Sequence, residues 1–375
     1  MQPSQNASCK CNANAMLTRS VAVDTIAVDS CVLLVLALCL LTTPSILLDM
    51  TDLRSYRAPW WLPGGHLQTI WPTLFAQPRA SQAIKLVRER WRAPDGDFID
   101  IDHLPGPDHA PWLVLFHGLE GSSTSRYAIA FTQGALARGW RLSIPHFRGC
   151  SGELNLAPRS YHSGDFQEVG WLLARIRDRA DAPVLAAGVS LGGNALLRWG
   201  EEAGSGAAEI ARAVAAVSAP LDLVAAGAAI DSGVNRLIYT RHFLRTMIPN
   251  ALAKWQQHPG LFDRKRVQRA TTLREFDDAF TAPLHGFAGV DDYWTRASSK
   301  PHLHTIKIPA LVVNARNDPF VPAASLPTPD EAGAMVTLWQ PEQGGHVGFA
   351  TGPWPGRVTA MPEAVSDWLG SILGG

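Results

Sequence analysis

A serine, a histidine and an aspartate stand in segments suited to covalent chemistry. Ser190 lies in Gly188-Val189-Ser190-Leu191-Gly192. That spacing suits a nucleophile on a sharp strand-to-helix turn, where side chains two residues away on either side would strike neighbouring backbone. The helix that follows would aim its first N–H groups at negative charge developing beside the hydroxyl. His346 stands in Gly344-Gly345-His346-Val347-Gly348-Phe349, and its small neighbours let a loop approach closely and expose the ring. Asp318 ends Asn314-Ala315-Arg316-Asn317-Asp318, a loop stiffened by Pro319. A serine hydroxyl needs a base to become a nucleophile, and the base needs a carboxylate to fix its tautomer. The chain order serine, aspartate, histidine is one in which such triads occur.

An oxyanion needs two N–H donors converging on one point. Leu191, next after the serine, offers one. Leu119, in His117-Gly118-Leu119-Glu120-Gly121, offers the other. The expected chemistry is acyl transfer through an acyl-enzyme, and it requires no metal or organic cofactor. His146 and His162 are rival bases, but both precede the serine and are expected to be structural. Asp222 is the fallback acid. The Arg264-Lys265-Arg266 cluster with Arg269 reads as a solvated helix face.

These residues need a scaffold. Trp112–Phe116 is a short apolar run, as a strand buried on both faces should read. Gly139–Ile144, Pro183–Ala187, Ala213–Ser218, Ala310–Val313 and Val336–Trp339 read the same way. Ile84–Trp91 and Phe98–His103 form an expected strand pair around the turn Pro94-Asp95-Gly96-Asp97. Helical segments are expected at Tyr127–Arg138, Phe166–Ala180 and Leu191–Glu202. This alternation predicts an α/β fold with a mostly parallel, doubly wound sheet. Residues 221–300 break the rhythm with helix-prone sequence. They are expected to form a helical cap insertion between two parts of the core, 50–220 and 301–375.

Composition narrows the classes further. Of 375 residues, 46% are hydrophobic and 18% charged, which excludes charge-rich disorder. Lys+Arg and Asp+Glu number 33 each, so no cationic excess exists to bind nucleic acid. Four cysteines, Cys9, Cys11, Cys31 and Cys39, precede residue 40; only Cys150 lies in the body. A body with one thiol holds no internal disulfide framework, which favours a reducing compartment such as the cytoplasm. Residues 1–49 read as an unstructured or over-extended arm, with Met50 as an alternative start. Within it, Cys31–Leu48 carries no charge and sits at the lower edge of membrane-spanning length. No Lys or Arg adjoins it, so a membrane anchor there is the less favoured expectation.

The chain resembles the YheT-type branch of the α/β-hydrolases. The segments that carry the resemblance are Ala58–Trp71, Pro94–Asp100, His117–Gly121, Phe147–Glu153, Tyr161–Asp165, Gly188–Asn194 and Glu275–Asp278. They begin near Arg54, leaving residues 1–49 outside. The resemblance implies an α/β-hydrolase fold and a triad of Ser190, Asp318 and His346. It implies a small-molecule ester or lipid substrate, with short- to medium-chain acyl groups. Some eukaryotic members of that branch act on phospholipids, transfer acyl groups to alcohols, or carry an N-terminal membrane anchor. Acyl transfer to an alcohol is therefore an alternative expectation, as is a catalytically silent, lipid-binding relative.

Overall fold

A computed structural model describes residues 52–76 and 84–374 of the chain. The arm 1–49, its cysteines and the segment 31–48 lie outside the described residues. Eight strands form one sheet: β1 (Val87–Arg92), β2 (Phe98–Leu104), β3 (Trp112–Phe116), β4 (Arg141–Pro145), β5 (Val184–Val189), β6 (Ala213–Val217), β7 (Ala310–Val313) and β8 (Val336–Trp339). Their order is β1-β2-β4-β3-β5-β6-β7-β8. The β1–β2 and β2–β4 pairs are antiparallel and all others parallel. The sheet is thus mostly parallel, as the alternation predicted. The turn at 94–97 closes β1 on β2, with Gly96 at φ 84° supplying the left-handed residue.

Strand pleating divides the core in two. Along β3, Val114 and Phe116 face one way and Leu113 and Leu115 the other. The first face packs under helices α3 (Phe166–Arg179) and α4 (Leu191–Ala203), through Val169, Leu172, Leu196 and Leu197. The second packs under α2 (Arg126–Ala137) and α9 (Ala360–Ser371), through Phe131, Ala135, Val365 and Leu369. Helices on both faces make the sheet doubly wound.

Two long helices were not expected from sequence. One is α1 (Gly64–Leu74), which starts on two glycines and holds Pro72 in its interior. The other is α9, which contains Pro362. In α1 these residues argue against a helix and tertiary packing overrides that propensity, whereas Pro362 sits in the first turn of α9, where proline is tolerated.

Between β6 and β7 the described chain is helical wherever it is regular. Its longer members are α5 (Leu223–Ile230), α6 (Arg241–Gln257), α7 (Arg264–Arg269) and α8 (Val290–Ala297). Leu244, Val267, Phe276 and Phe280 give this insertion a small core of its own. The basic cluster forms α7, where Arg266 pairs with Asp278 at 2.5 Å and Arg264 lies over the Trp255 ring. Both Arg266 and Asp278 are partly open to solvent, so the pair contributes little.

Candidate active site

The serine turn is built by exclusion. Ser190 adopts φ 53°, ψ −121°, a strained conformation for a residue with a Cβ. A Cβ on Gly188 would stand 2.4 Å from the Gly192 carbonyl oxygen, and one on Gly192 would stand 2.4 Å from that of His117. Only glycine fits either position. We expect Gly192→Ala to cost at least about 2 kcal/mol, because backbone on β3 must move to admit the methyl. Gly200→Ala on α4 is the matched control, since its nearest neighbours stand 3.8 Å away. It should be neutral or stabilising by about 0.5–1 kcal/mol. Urea denaturation midpoints check both, and equal stability of the two variants would contradict the packing argument.

Three distant parts of the chain meet at Ser190. The Ser190 hydroxyl donates to Nε2 of His346 at 2.9 Å. Nδ1–H of His346 donates to Oδ2 of Asp318 at 2.8 Å. The tautomer follows from chemistry: a carboxylate only accepts, so the proton sits on Nδ1 and Nε2 is free to take one from serine. Asp318 is itself buried, and its other oxygen accepts the N–H groups of Phe320 (2.7 Å) and Val321 (3.3 Å). The Phe320 ring lies against the imidazole with centroids 4.2 Å apart. Ser190 follows β5, Asp318 follows β7 and His346 follows β8, so the C-terminal ends of the strands present all three.

The histidine loop is held by residues that motif reasoning did not assign. On α1, Gln68 Oε1 accepts from Gly344 N–H and from the Asn317 side chain, both at 2.9 Å. Thr69 Oγ1 accepts the N–H of His346 itself at 2.9 Å. Asn317 Oδ1 accepts from Gly345 N–H at 3.0 Å, which joins the aspartate loop to the histidine loop. The glycines permit the contact, since a Cβ on Gly348 would lie 1.8 Å from the Gln68 carbonyl oxygen. The signal was present in the segment Gly64-Gly65-His66-Leu67-Gln68-Thr69, but nothing local in it names a partner some 280 residues away.

Leu119 and Leu191 also adjoin the serine. Around them the N–H groups are engaged: Gly118 N–H by the Tyr127 hydroxyl at 2.9 Å, Glu120 N–H by the Tyr161 hydroxyl at 3.0 Å. The Gly193 and Asn194 N–H groups return to the Ser190 carbonyl. Among the described residues, no acceptor takes the N–H of Leu119 or Leu191. Both residues line a cavity of about 960 Å³ together with Ser190, His346, Tyr239 and Phe243. The cavity is large for a ligand site and mostly apolar.

The rivals are bonded to other partners, although His162 also lines the cavity. His146 is buried and bonded through Nε2 to Asp102 at 2.8 Å. Burial opposes ionisation of Asp102, yet hydrogen bonds from Arg88, His146 and Ser123 hold its carboxyl below the usual range. The His162 ring packs on His285 at 4.4 Å, and its Nδ1 accepts Gly164 N–H. Burial pushes both rings toward the neutral form, that of His285 down to about 3. Asp222 caps α5 by accepting Ala225 N–H at 3.0 Å. Among the described residues, none of the three bonds to Ser190 or His346.

The fold agrees with comparison to known proteins. Residues 111–353 match the alpha/beta hydrolase fold family. The chain is 38% identical over 317 residues to the Escherichia coli (strain K12) protein named "Putative esterase YheT", covering 82% of this chain and 91% of that one. It is 28% identical over 335 residues to human "Phospholipase ABHD3", covering 85% and 80%. It is 27% identical over 260 residues to the Saccharomyces cerevisiae "Monoacylglycerol lipase", covering 67% and 57%. The chain belongs to the α/β-hydrolase family. Within it, the match to the first of these relatives puts it in the YheT-type branch, among relatives of esterase and lipase type. Among the described residues, no helix is long and apolar enough to cross a membrane.

Proposed function

We propose that the chain is a serine hydrolase of carboxylic esters with short- to medium-chain acyl groups, acting through an acyl-enzyme on Ser190. The observation that carries this reading is the unbroken hydrogen-bond relay Asp318–His346–Ser190, at 2.8 and 2.9 Å, opening onto an apolar cavity. The names of the relatives support the ester and lipid class of substrate.

The mechanism follows from the positions. Substrate carbonyl carbon enters beside Ser190 Oγ. His346 Nε2 takes the hydroxyl proton as Oγ attacks, and Asp318 stabilises the imidazolium that forms. The carbonyl oxygen becomes an oxyanion, received by the N–H groups of Leu119 and Leu191. The C–O bond to the leaving alcohol breaks, and the alcohol takes its proton from His346. Water then attacks the acyl carbon as His346 takes its proton, and the bond to Ser190 breaks as Oγ takes that proton back, which frees the acid and restores the hydroxyl. An alcohol in place of water would give a new ester by the same route.

A fluorophosphonate probe tests the nucleophile, and a panel of p-nitrophenyl esters of graded chain length tests the substrate class. We expect stoichiometric labelling at Ser190 and a rate maximum at short to medium acyl chains. An unlabelled Ser190, under conditions that label a control serine hydrolase, would sink the reading.

A further inference from the structure

The two N–H groups that would receive the oxyanion are not equally secure. That of Leu191 is fixed by the start of α4. That of Leu119 sits on a loop, so something must orient it.

The peptide between Gly118 and Leu119 is one plane, and a trans plane points its N–H opposite to its C=O. The Gly118 carbonyl accepts from His117 Nδ1–H at 2.7 Å and from Gly121 N–H at 3.0 Å. His117 is able to donate there because Nε2 accepts Phe147 N–H at 3.0 Å. Burial keeps its ring neutral down to about pH 3, so this tautomer persists. The near side of the plane is therefore tied, with the Leu119 N–H on the far side.

The next peptide is tied by a single atom. The Tyr161 hydroxyl accepts Glu120 N–H at 3.0 Å and donates to Glu120 Oε1 at 2.8 Å. Glu120 holds φ 53°, a left-handed conformation that a side chain makes unfavourable. The tyrosine bonds both the amide and the carboxylate of that strained residue. Its ring is fixed by stacking on Phe147 at 5.4 Å and 10°. Burial, with the Glu120 carboxylate beside it, raises the hydroxyl's pKa well above its usual value, so it remains a donor. The second carboxylate oxygen takes a long bond, 3.4 Å, from Asn250 on α6.

We propose that Tyr161 is a positioning residue for the reaction: its reciprocal hydrogen bonds with Glu120 hold the Leu119 N–H where the oxyanion forms. This rests on the ester-hydrolase reading above. It also gives a role to Tyr161 in the segment Tyr161–Asp165, which the triad leaves unexplained.

Tyr161→Phe is the test, because it keeps the ring and its stacking and removes only the hydroxyl. We expect kcat to fall about 10- to 100-fold, below the 100- to 1,000-fold typical of losing a donor outright. KM should stay within about threefold. Affinity for an alkyl boronic acid, which forms a tetrahedral adduct on serine, should fall by the same factor as kcat. Glu120→Ala should match Tyr161→Phe, Glu120→Gln should lose several-fold less because it keeps an acceptor oxygen, and the double variant should be no worse than either single one. An unchanged kcat in Tyr161→Phe would overturn the proposal. So would a loss confined to KM and melting temperature with boronate affinity intact. Ser190→Ala, run alongside, separates the two levels. Full activity in that variant would overturn the ester reading and the clamp together. An inactive Ser190→Ala beside a fully active Tyr161→Phe would overturn the clamp alone.

Discussion

Ser190→Ala is expected to lower kcat for p-nitrophenyl ester hydrolysis by about a million-fold, and His346→Ala by a similar factor. The double variant should be no slower than either single one. The reason lies in the shared proton. The 2.9 Å bond from the serine hydroxyl to His346 Nε2 makes the two side chains one device. Without the imidazole the hydroxyl stays protonated and is a poor nucleophile; without the hydroxyl the imidazole has nothing to activate. What survives is binding and whatever stabilisation the Leu119 and Leu191 N–H groups give to attack by water. Neither variant should unfold the protein. Alanine at 190 still has a Cβ in the same strained turn, and the loop of His346 is held by Gln68 and Thr69 through its backbone. Circular dichroism should therefore match the parent. Activity within tenfold of the parent in a folded Ser190→Ala protein would reject the assignment.

What the sequence disclosed depended on whether the cause was local. The strand β3 spans Trp112–Phe116, as read from its apolar run, and β7 and β8 likewise match their expected bounds. A parallel strand covered on both faces, as β3 and β7 are, has to be apolar at every position, so the pattern is visible without its neighbours. The serine turn was legible for a similar reason, because Gly188 and Gly192 are demanded by backbone a few ångströms away. Helix α1 was not legible. Its glycines and Pro72 argue against a helix, and its contribution is to grip a loop that follows β8. The double service of Tyr161 was equally hidden, since one hydroxyl bonds a residue 41 positions earlier. Long-range hydrogen bonds use common residue types and leave no periodic trace. The strand order and the partition of the helices between the two faces belong to the same category.

Asp318→Asn should separate the orienting carboxylate from its rival more sharply than any truncation. Asparagine keeps one oxygen, which can go on accepting the N–H groups of Phe320 and Val321. Its amide nitrogen then faces His346, and it donates. Nδ1 of the imidazole must accept, so the ring proton moves to Nε2, where it blocks the transfer from serine. The substitution changes the tautomer while preserving the fold, and a loss of about 10,000-fold in kcat is the expected size for such a change. Melting temperature should shift by only a few degrees. Asp222→Ala predicts the opposite pairing. It removes the side-chain cap from α5, where Ala225 N–H loses its acceptor, and should cost about 1 kcal/mol of stability. Turnover should stay within about threefold, because Asp222 bonds to neither Ser190 nor His346. One assay and one melting curve for each variant decide the matter. If the asparagine at 318 left turnover intact, or the alanine at 222 abolished it, the carboxylate that orients His346 would have to be sought elsewhere.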